Sequence, residues 1–273
     1  MSNNKFVYGS FKILLLFAML TLLSTCDRDE SQEKDCIILS RKDCSRLKIM
    51  GIDESYSFLT DLTWTKSNSY EEKLQACQIP DSILSEMCTY DLVKTCLVNY
   101  PFISDLSTIN NIQDGFKRYK GAFNGIQKLI KRCDCCIEII DHYKKLSLSI
   151  NPDSIFTFKS SWGLYFTEIF LAQPDFFRSL TNYERISLFK LALKVRELKL
   201  NDDRHGFGSI DATDWILARI MVFESYTPFI KRIKENESLS RFVESMQPIK
   251  QEDFVEIDTL IYNYSISFLK SKE

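Results

Sequence analysis

The chain has 273 residues, with 35 Lys and Arg against 37 Asp and Glu and a formal net charge of −2. Nucleic-acid binding needs a concentrated basic footprint, and here the basic residues are scattered among acids, which argues against that class of partner. Eight Gly and six Pro are too few for an architecture of strands and tight turns, while 20 Phe and 12 Tyr supply ample core, so the composition predicts an all-α fold. The expected architecture is a multi-helix bundle or irregular helical array, as one large domain or two packed subdomains.

The first element in chain order is an N-terminal leader. Lys5 and Lys12 precede the eleven-residue apolar stretch Ile13 to Leu23, which closes in Leu23-Ser24-Thr25-Cys26. A positive region followed by about 7 to 15 apolar residues has the pattern of a secretory signal peptide, whereas a helix crossing ~30 Å of hydrocarbon needs about 20. The Leu-x-x-Cys ending resembles the lipobox of bacterial lipoproteins, with Thr25 where that family prefers Gly or Ala. The resemblance implies that residues 1–25 are a signal peptide, that cleavage falls before Cys26, and that Cys26 is the lipidation site. Three acyl chains on one cysteine exceed the two-signal requirement for stable anchoring, each buried CH₂ contributing roughly 0.8 kcal/mol. An ordinary cleaved signal peptide, with Cys26 a bystander, is the alternative.

Residues 26–35 follow as a tether, since Asp27 to Asp35 holds five acidic and two basic residues and no apolar side chain. Such a segment cannot bury enough surface to offset its ordering entropy. Acidic residues close behind a lipidated cysteine also resemble the surface-export signal of some Gram-negative lipoproteins. That resemblance implies the outer membrane, with the body on its surface or periplasmic face and attached through the lipid anchor.

Without residues 1–25 the chain keeps 248 residues, 33 of them basic and 37 acidic. Cys36, Cys44, Cys77, Cys88, Cys96, Cys133, Cys135 and Cys136 all precede residue 137, which divides a Cys-containing helical region, 36–146, from a Cys-free one, 147–273. Eight cysteines in an exported chain permit four disulfides. Buried free thiols are the alternative at Cys77, Cys88 and Cys96, which stand among apolar residues. Cys133-Asp134-Cys135-Cys136 invites a zinc reading, but tetrahedral sites combine two separated ligand pairs and no matching pair stands elsewhere, so neither a metal nor another cofactor is expected.

Within 36–146, the span 36–65 has weak periodicity. Ser69-x-x-Glu72 is a capping box that opens a helix to about Gln78, where Ile79-Pro80 interrupts it, and Pro80 suits the first turn of the next. Helices over Asp81 to Met87 and Thr89 to Asn99 follow. Asn110 to Leu129 carries Ile112, Phe116, Tyr119, Phe123, Ile126 and Leu129 in steps of four and three, the mark of one buried helical face. Ile137 to Leu146 continues in the same style. Ile79-Pro80-Asp81, Tyr90-Asp91-Leu92-Val93-Lys94-Thr95-Cys96-Leu97, Tyr100-Pro101, Gly115-Phe116 and Phe123-Asn124-Gly125-Ile126 to Arg132 together resemble a helical module of exported proteins in gut-type Gram-negative bacteria. The likeness covers roughly residues 78–145. It implies a helical fold and export, and it carries no activity. The module has Ser at the place of Cys88 and lacks the Cys133 to Cys136 cluster.

In 147–273, Thr181-x-x-Glu184 caps a helix with Leu188, Leu191, Ala192, Val195 and Leu198 on one face. Asp211-x-x-Asp214 is expected to open the longest helix, Trp215 to Lys234, whose wide apolar surface predicts a central position and whose Pro228 must kink or interrupt it. The last helix, Asp253 to Lys270, repeats Phe254, Ile257, Ile261, Tyr264 and Phe268 in steps of three and four.

Candidate chemistry is sparse. The two histidines are His142, read as a satisfied surface or core imidazole, and His205. No His-Glu-x-x-His, Gly-x-Ser-x-Gly or phosphate-cradling Gly-x-x-x-x-Gly-Lys occurs, so no catalytic residue is assigned. Asp202, Asp203, Arg204 and His205, beside Gly206 and Gly208, form the candidate ligand loop, able to orient an anionic or sugar ligand or to supply acid and base. The plainer reading is a charged inter-helix loop whose Asp211 caps the next helix. The sequence therefore favours a membrane-anchored exported lipoprotein that binds a protein or glycan partner without catalysis. Two alternatives stand: an immunity-type protein that neutralises an antibacterial toxin, and a hydrolase with a site near residues 202–208.

Overall fold

A computed structural model describes Tyr56, Phe58, residues 69–99, Ile103, 111–150, 158–202, 207–247, Lys250 and 252–272, with only the backbone of 99, 149, 158–160 and 207–209. Thirteen α-helices and no strand occur among the described residues, an all-α helical array. All of them belong to one compact unit, Ile37–Glu273.

The helices in the first half form where the sequence places caps. Helix α1, Tyr70–Ala76, opens on the Ser69/Glu72 capping box, with both reciprocal hydrogen bonds made. Helix α2, Asp81–Glu86, has Pro80 at its N-cap, one position earlier than expected. Helix α3, Thr89–Lys94, runs on as a π-helical turn over Thr95–Asn99.

The stretch expected as one helix from Asn110 to Leu129 is two. Helix α4, Ile112–Ala122, and helix α5, Asn124–Ile130, meet at Phe123, whose backbone is extended. The break has a specific cause. Asn124 accepts from the Ile79 N–H at 3.0 Å and donates to the Ile79 carbonyl at 2.7 Å, while Gln78 accepts from the Asn124 N–H at 2.9 Å and donates to the Ala122 carbonyl at 3.0 Å. The Gln78 side chain thus satisfies two backbone groups that an uninterrupted helix would have paired internally, and the Asn124 side chain ties the break to the backbone of Ile79. Periodicity alone misses this, because Tyr119 and Ile126 are buried on either side of the break and Phe123 is buried at it.

Helix α6, Cys135–Ser147, ends in a 3₁₀ turn, Leu148–Ile150. Helix α7, Phe158–Leu171, follows, then the short α8, Pro174–Phe177, and α9, Asn182–Leu200, which opens on the Thr181/Glu184 capping box. Helix α10, Phe207–Phe223, starts well before Asp211, so Asp211 and Asp214 lie inside it and cap nothing. It stops where Ser225 takes φ 54°, with the Tyr226 N–H on the Met221 carbonyl and the Ser225 N–H on the Val222 carbonyl, each at 3.0 Å. That is a Schellman stop with Ser in place of the usual Gly. Pro228 then falls in the first turn of helix α11, Thr227–Glu235, and kinks nothing, since a first-turn N–H has no helical partner to lose. Helix α12, Glu237–Ser245, is capped by Asn236. Helix α13, Asp253–Lys270, has the expected bounds and buries Ile257, Ile261 and Phe268.

Helix α10 is the centre of the array, packed against α7, α9, α11, α12 and α13, while α6 joins α7 to α3. A helix that is apolar all round is a buried one. Side chains 212–218 of α10 and 166–171 of α7 are all buried, and one core cluster runs from Cys77 to Phe268.

At Gly125 a Cβ would overlap the ring of Phe123, itself fully buried, whereas at Gly121 it would meet nothing within 4 Å. Gly125→Ala is therefore expected to destabilise the fold by about 1–3 kcal/mol through overpacking, and Gly121→Ala to stabilise it by about 0.5–1 kcal/mol through helix propensity. Denaturant unfolding of both variants measures the contrast.

Candidate functional site: a charge network between buried helices

A helix buried on all sides leaves no room for an unpaired charge, and α7 and α10 each carry acidic residues at such positions. Glu168 of α7 is fully buried. Its Oε2 stands 2.6 Å from Lys199 Nζ of α9, and its Oε1 accepts from the Tyr143 hydroxyl of α6 at 2.8 Å and from Thr213 Oγ1 of α10 at 2.7 Å. Lys199 also donates to Thr213 Oγ1 at 2.9 Å. One carboxylate thus draws on donors from three other helices. Burial lowers the Lys199 ammonium from its ordinary range, with Glu168 opposing that shift, and burial likewise pushes the Tyr143 hydroxyl well up.

A second tier lies beside it. Arg196, one turn before Lys199, pairs through Nε with Asp214 of α10 at 2.8 Å and through its terminal nitrogen with Asp258 of α13, and its guanidinium lies 4.7 Å from the centre of the Tyr262 ring. Burial pushes the Asp214 carboxyl well above the carboxylate range, against the pull of Arg196. Asp211, half-buried one turn earlier, is raised to about 7 by burial first and Asp258 second, with Lys199 pulling the other way. A single guanidinium faces two carboxylates here, Asp214 and Asp258.

Arg219 of α10 forms a separate junction. It donates to the carbonyls of Val243 at 2.9 Å and Glu244 at 2.7 Å in the last turn of α12, to that of Ala172 at 3.1 Å just past α7, and to Gln113 of α4 at 2.6 Å. Two helix C-termini, each a partial negative charge, are held by one cation. Burial lowers this guanidinium to about 9, with Glu244 opposing.

Of the ligand loop expected at 202–205, Asp202 is described, its N–H on the Lys199 carbonyl at 3.3 Å. Asp202, two residues beyond the end of α9, is buried. Asp203, Arg204, His205 and the lipidation candidate Cys26 lie outside the described residues. His142 is a core imidazole, as one reading of it held, but its Nε2 has no hydrogen-bond partner. Burial, Lys94 and Lys145 push it down to about 4.

The strongest polar constellation is one the sequence reading passed over. Glu168 was visible as the lone charge in the run Leu164 to Leu171, and Lys199 as the next step of the Leu188, Ala192, Val195 stripe. Reading Asp211-x-x-Asp214 as a cap hid their partners. Among the described residues no cluster of His, Cys, Asp and Glu has the geometry to hold a metal ion. Chemically the Glu168 tier is closed, each oxygen engaged by a partner from its own protein. Comparison with protein-family models, with curated proteins and with solved structures finds no match to this chain.

The raised Asp211 has a consequence for stability. Its folded pKa of about 7 lies above the ordinary carboxyl value of 3.8, so the folded state binds the extra proton between those limits and stability falls as pH rises through that window. Asp211→Asn is expected to flatten the fall and to raise stability by roughly 1–3 kcal/mol above pH 7, measured by denaturant unfolding across pH 4 to 8.

Proposed function

We propose that this protein is an exported lipoprotein, anchored in the bacterial outer membrane through Cys26, whose helical body binds a protein or glycan partner without catalysis. The observation that carries the anchor is Leu23-Ser24-Thr25-Cys26 after an eleven-residue apolar stretch with Lys5 and Lys12 before it. That stretch is short for a spanning helix, and among the described residues no helix is long and apolar enough to cross a membrane. Attachment through acyl chains on Cys26 gives a body of this kind stable residence at the bilayer.

The charge network supports the binding side of the reading. A general acid or base must reach a substrate proton within hydrogen-bond distance. Lys199 and Glu168 are instead both fully buried and paired with one another. They spend their charge on joining helices, as a rigid scaffold requires, and the face that meets a partner is carried on that scaffold.

Cys26→Ala tests the anchor. The variant is expected to appear in the soluble fraction or to accumulate with its leader uncleaved, and to lose incorporation of labelled fatty acid. A variant that remains membrane-bound and correctly cleaved would overturn the reading.

A further inference from the structure

Where α6 packs on α3, two ammonium groups from different helices share one aromatic ring. Lys145 Nζ of α6 stands 4.5 Å from the centre of the Tyr90 ring, and Lys94 Nζ, at the end of α3, stands 4.7 Å from the same centre. Tyr90 and Lys94 are one helical turn apart on α3, and His142 and Lys145 are one turn apart on α6. Residues at those spacings lie on one face of their helix.

The ring attracts both cations through its quadrupole but brings no net charge to set against theirs. Asp141, on the same helix as Lys145, pairs with Lys144 at 3.5 Å, and among the described residues no carboxylate stands within ion-pair distance of Lys145. Other charges on the elements around α6 are engaged elsewhere. Glu168 of α7 holds Lys199 of α9, Asp175 of α8 holds Lys120, and Asp91 of α3 lies against the Cys88 sulfur at 3.2 Å.

His142 supplies the polar end of the cluster. It is 6% exposed, and its Nε2 has no hydrogen-bond partner. Burial first, then Lys94 and Lys145, keep the imidazole neutral, which ties it to the same two ammonium groups. Exposure falls from Lys145 at the surface, through half-buried Tyr90 and Lys94, to buried His142. A ligand that enters along that gradient meets positive charge first and an open imidazole nitrogen last.

The ligand that fits must answer two positive charges and also hydrogen-bond to a neutral ring nitrogen. A phosphate dianion matches the charge, and its oxygens accept from ammonium or imidazole N–H groups while its P–OH can donate to an unprotonated nitrogen. A single carboxylate brings half that charge and accepts only. We propose that Tyr90, Lys94, His142 and Lys145 form a phosphate-binding site between α3 and α6, which takes inorganic phosphate or a phosphate monoester group. An anion held there offsets the repulsion that the lysines exert on a protonated imidazole, so phosphate binding and protonation of His142 favour one another. The site is independent of the anchor at Cys26.

The test titrates the folded full chain with inorganic phosphate and, in a second arm, with phenyl phosphate, at constant ionic strength, and follows the imidazole signals by NMR. The chain has two histidines, and His205→Gln assigns them. The expected result is a saturable movement of the His142 signal and a His142 titration midpoint that rises from about 4 as phosphate is added. Lys94→Met and Lys145→Met should each weaken binding by about tenfold at unchanged helix content, whereas Lys231→Met on α11 should leave it as it was. Tighter binding of the phenyl ester assigns the site to a phosphate group on a larger ligand, and tighter binding of inorganic phosphate assigns it to the free ion. No saturable movement in either arm, an equal movement with chloride in place of phosphate, or full affinity in Lys145→Met would overturn the proposal.

Discussion

The Glu168 carboxylate is the constraint on which the packing of this protein depends. A carboxylate with no exposure carries a desolvation penalty of several kcal/mol, repaid only when its lone pairs are all met by donors in good geometry. Tyr143, Thr213 and Lys199 meet them, and they stand on α6, α10 and α9 while Glu168 stands on α7. Hydrophobic burial is non-directional and would tolerate these helices sliding or rotating. The carboxylate does not, since a shift of either α9 or α10 leaves an ion bare in the core. Apolar stripes bring the four helices together, and the polar hub fixes their register.

Arg219 extends the same logic to places where helices end. Helix α12 and α7 finish with unpaired carbonyls, and the guanidinium with its five donors reaches carbonyls of both, with Gln113 of α4 beside them. Trp215 shares the Val243 carbonyl through its indole N–H at 2.9 Å and lies under the guanidinium, 3.9 Å from its ring centre. Both Arg219 and Glu168's partner Thr213 belong to α10, so the central helix is tied at two levels along its length. A body fixed in this way presents a constant surface.

Much of the helical content was legible from local signals. The capping boxes at Ser69 and Thr181 and the regular stripe of Asp253 to Lys270 each depend on residues within one or two turns, and each helix starts where those residues place it. What stayed hidden depends on partners distant in sequence. Phe123 breaks a periodic run because Gln78, 46 residues before Asn124, accepts from the Asn124 N–H and donates to the Ala122 carbonyl, while the Asn124 side chain pairs with the backbone of Ile79. Asp211 and Asp214 look like caps until Arg196 and Lys199 are placed opposite them, and Pro228 looks like a kink until Ser225 ends the helix before it. The candidate loop drew attention through its density of polar residues, whereas the charges that shape the core were diluted among apolar neighbours.

The central claim is that Glu168 and Lys199 act as one unit holding the helices in register. A double-mutant cycle with Glu168→Gln, Lys199→Met and the double variant, followed by denaturant unfolding, tests it most directly. The account predicts that each single change costs about 3–5 kcal/mol, because it strands a buried charge, and that the double variant recovers much of the loss. Single costs that add within about 0.5 kcal/mol in the double variant would contradict it.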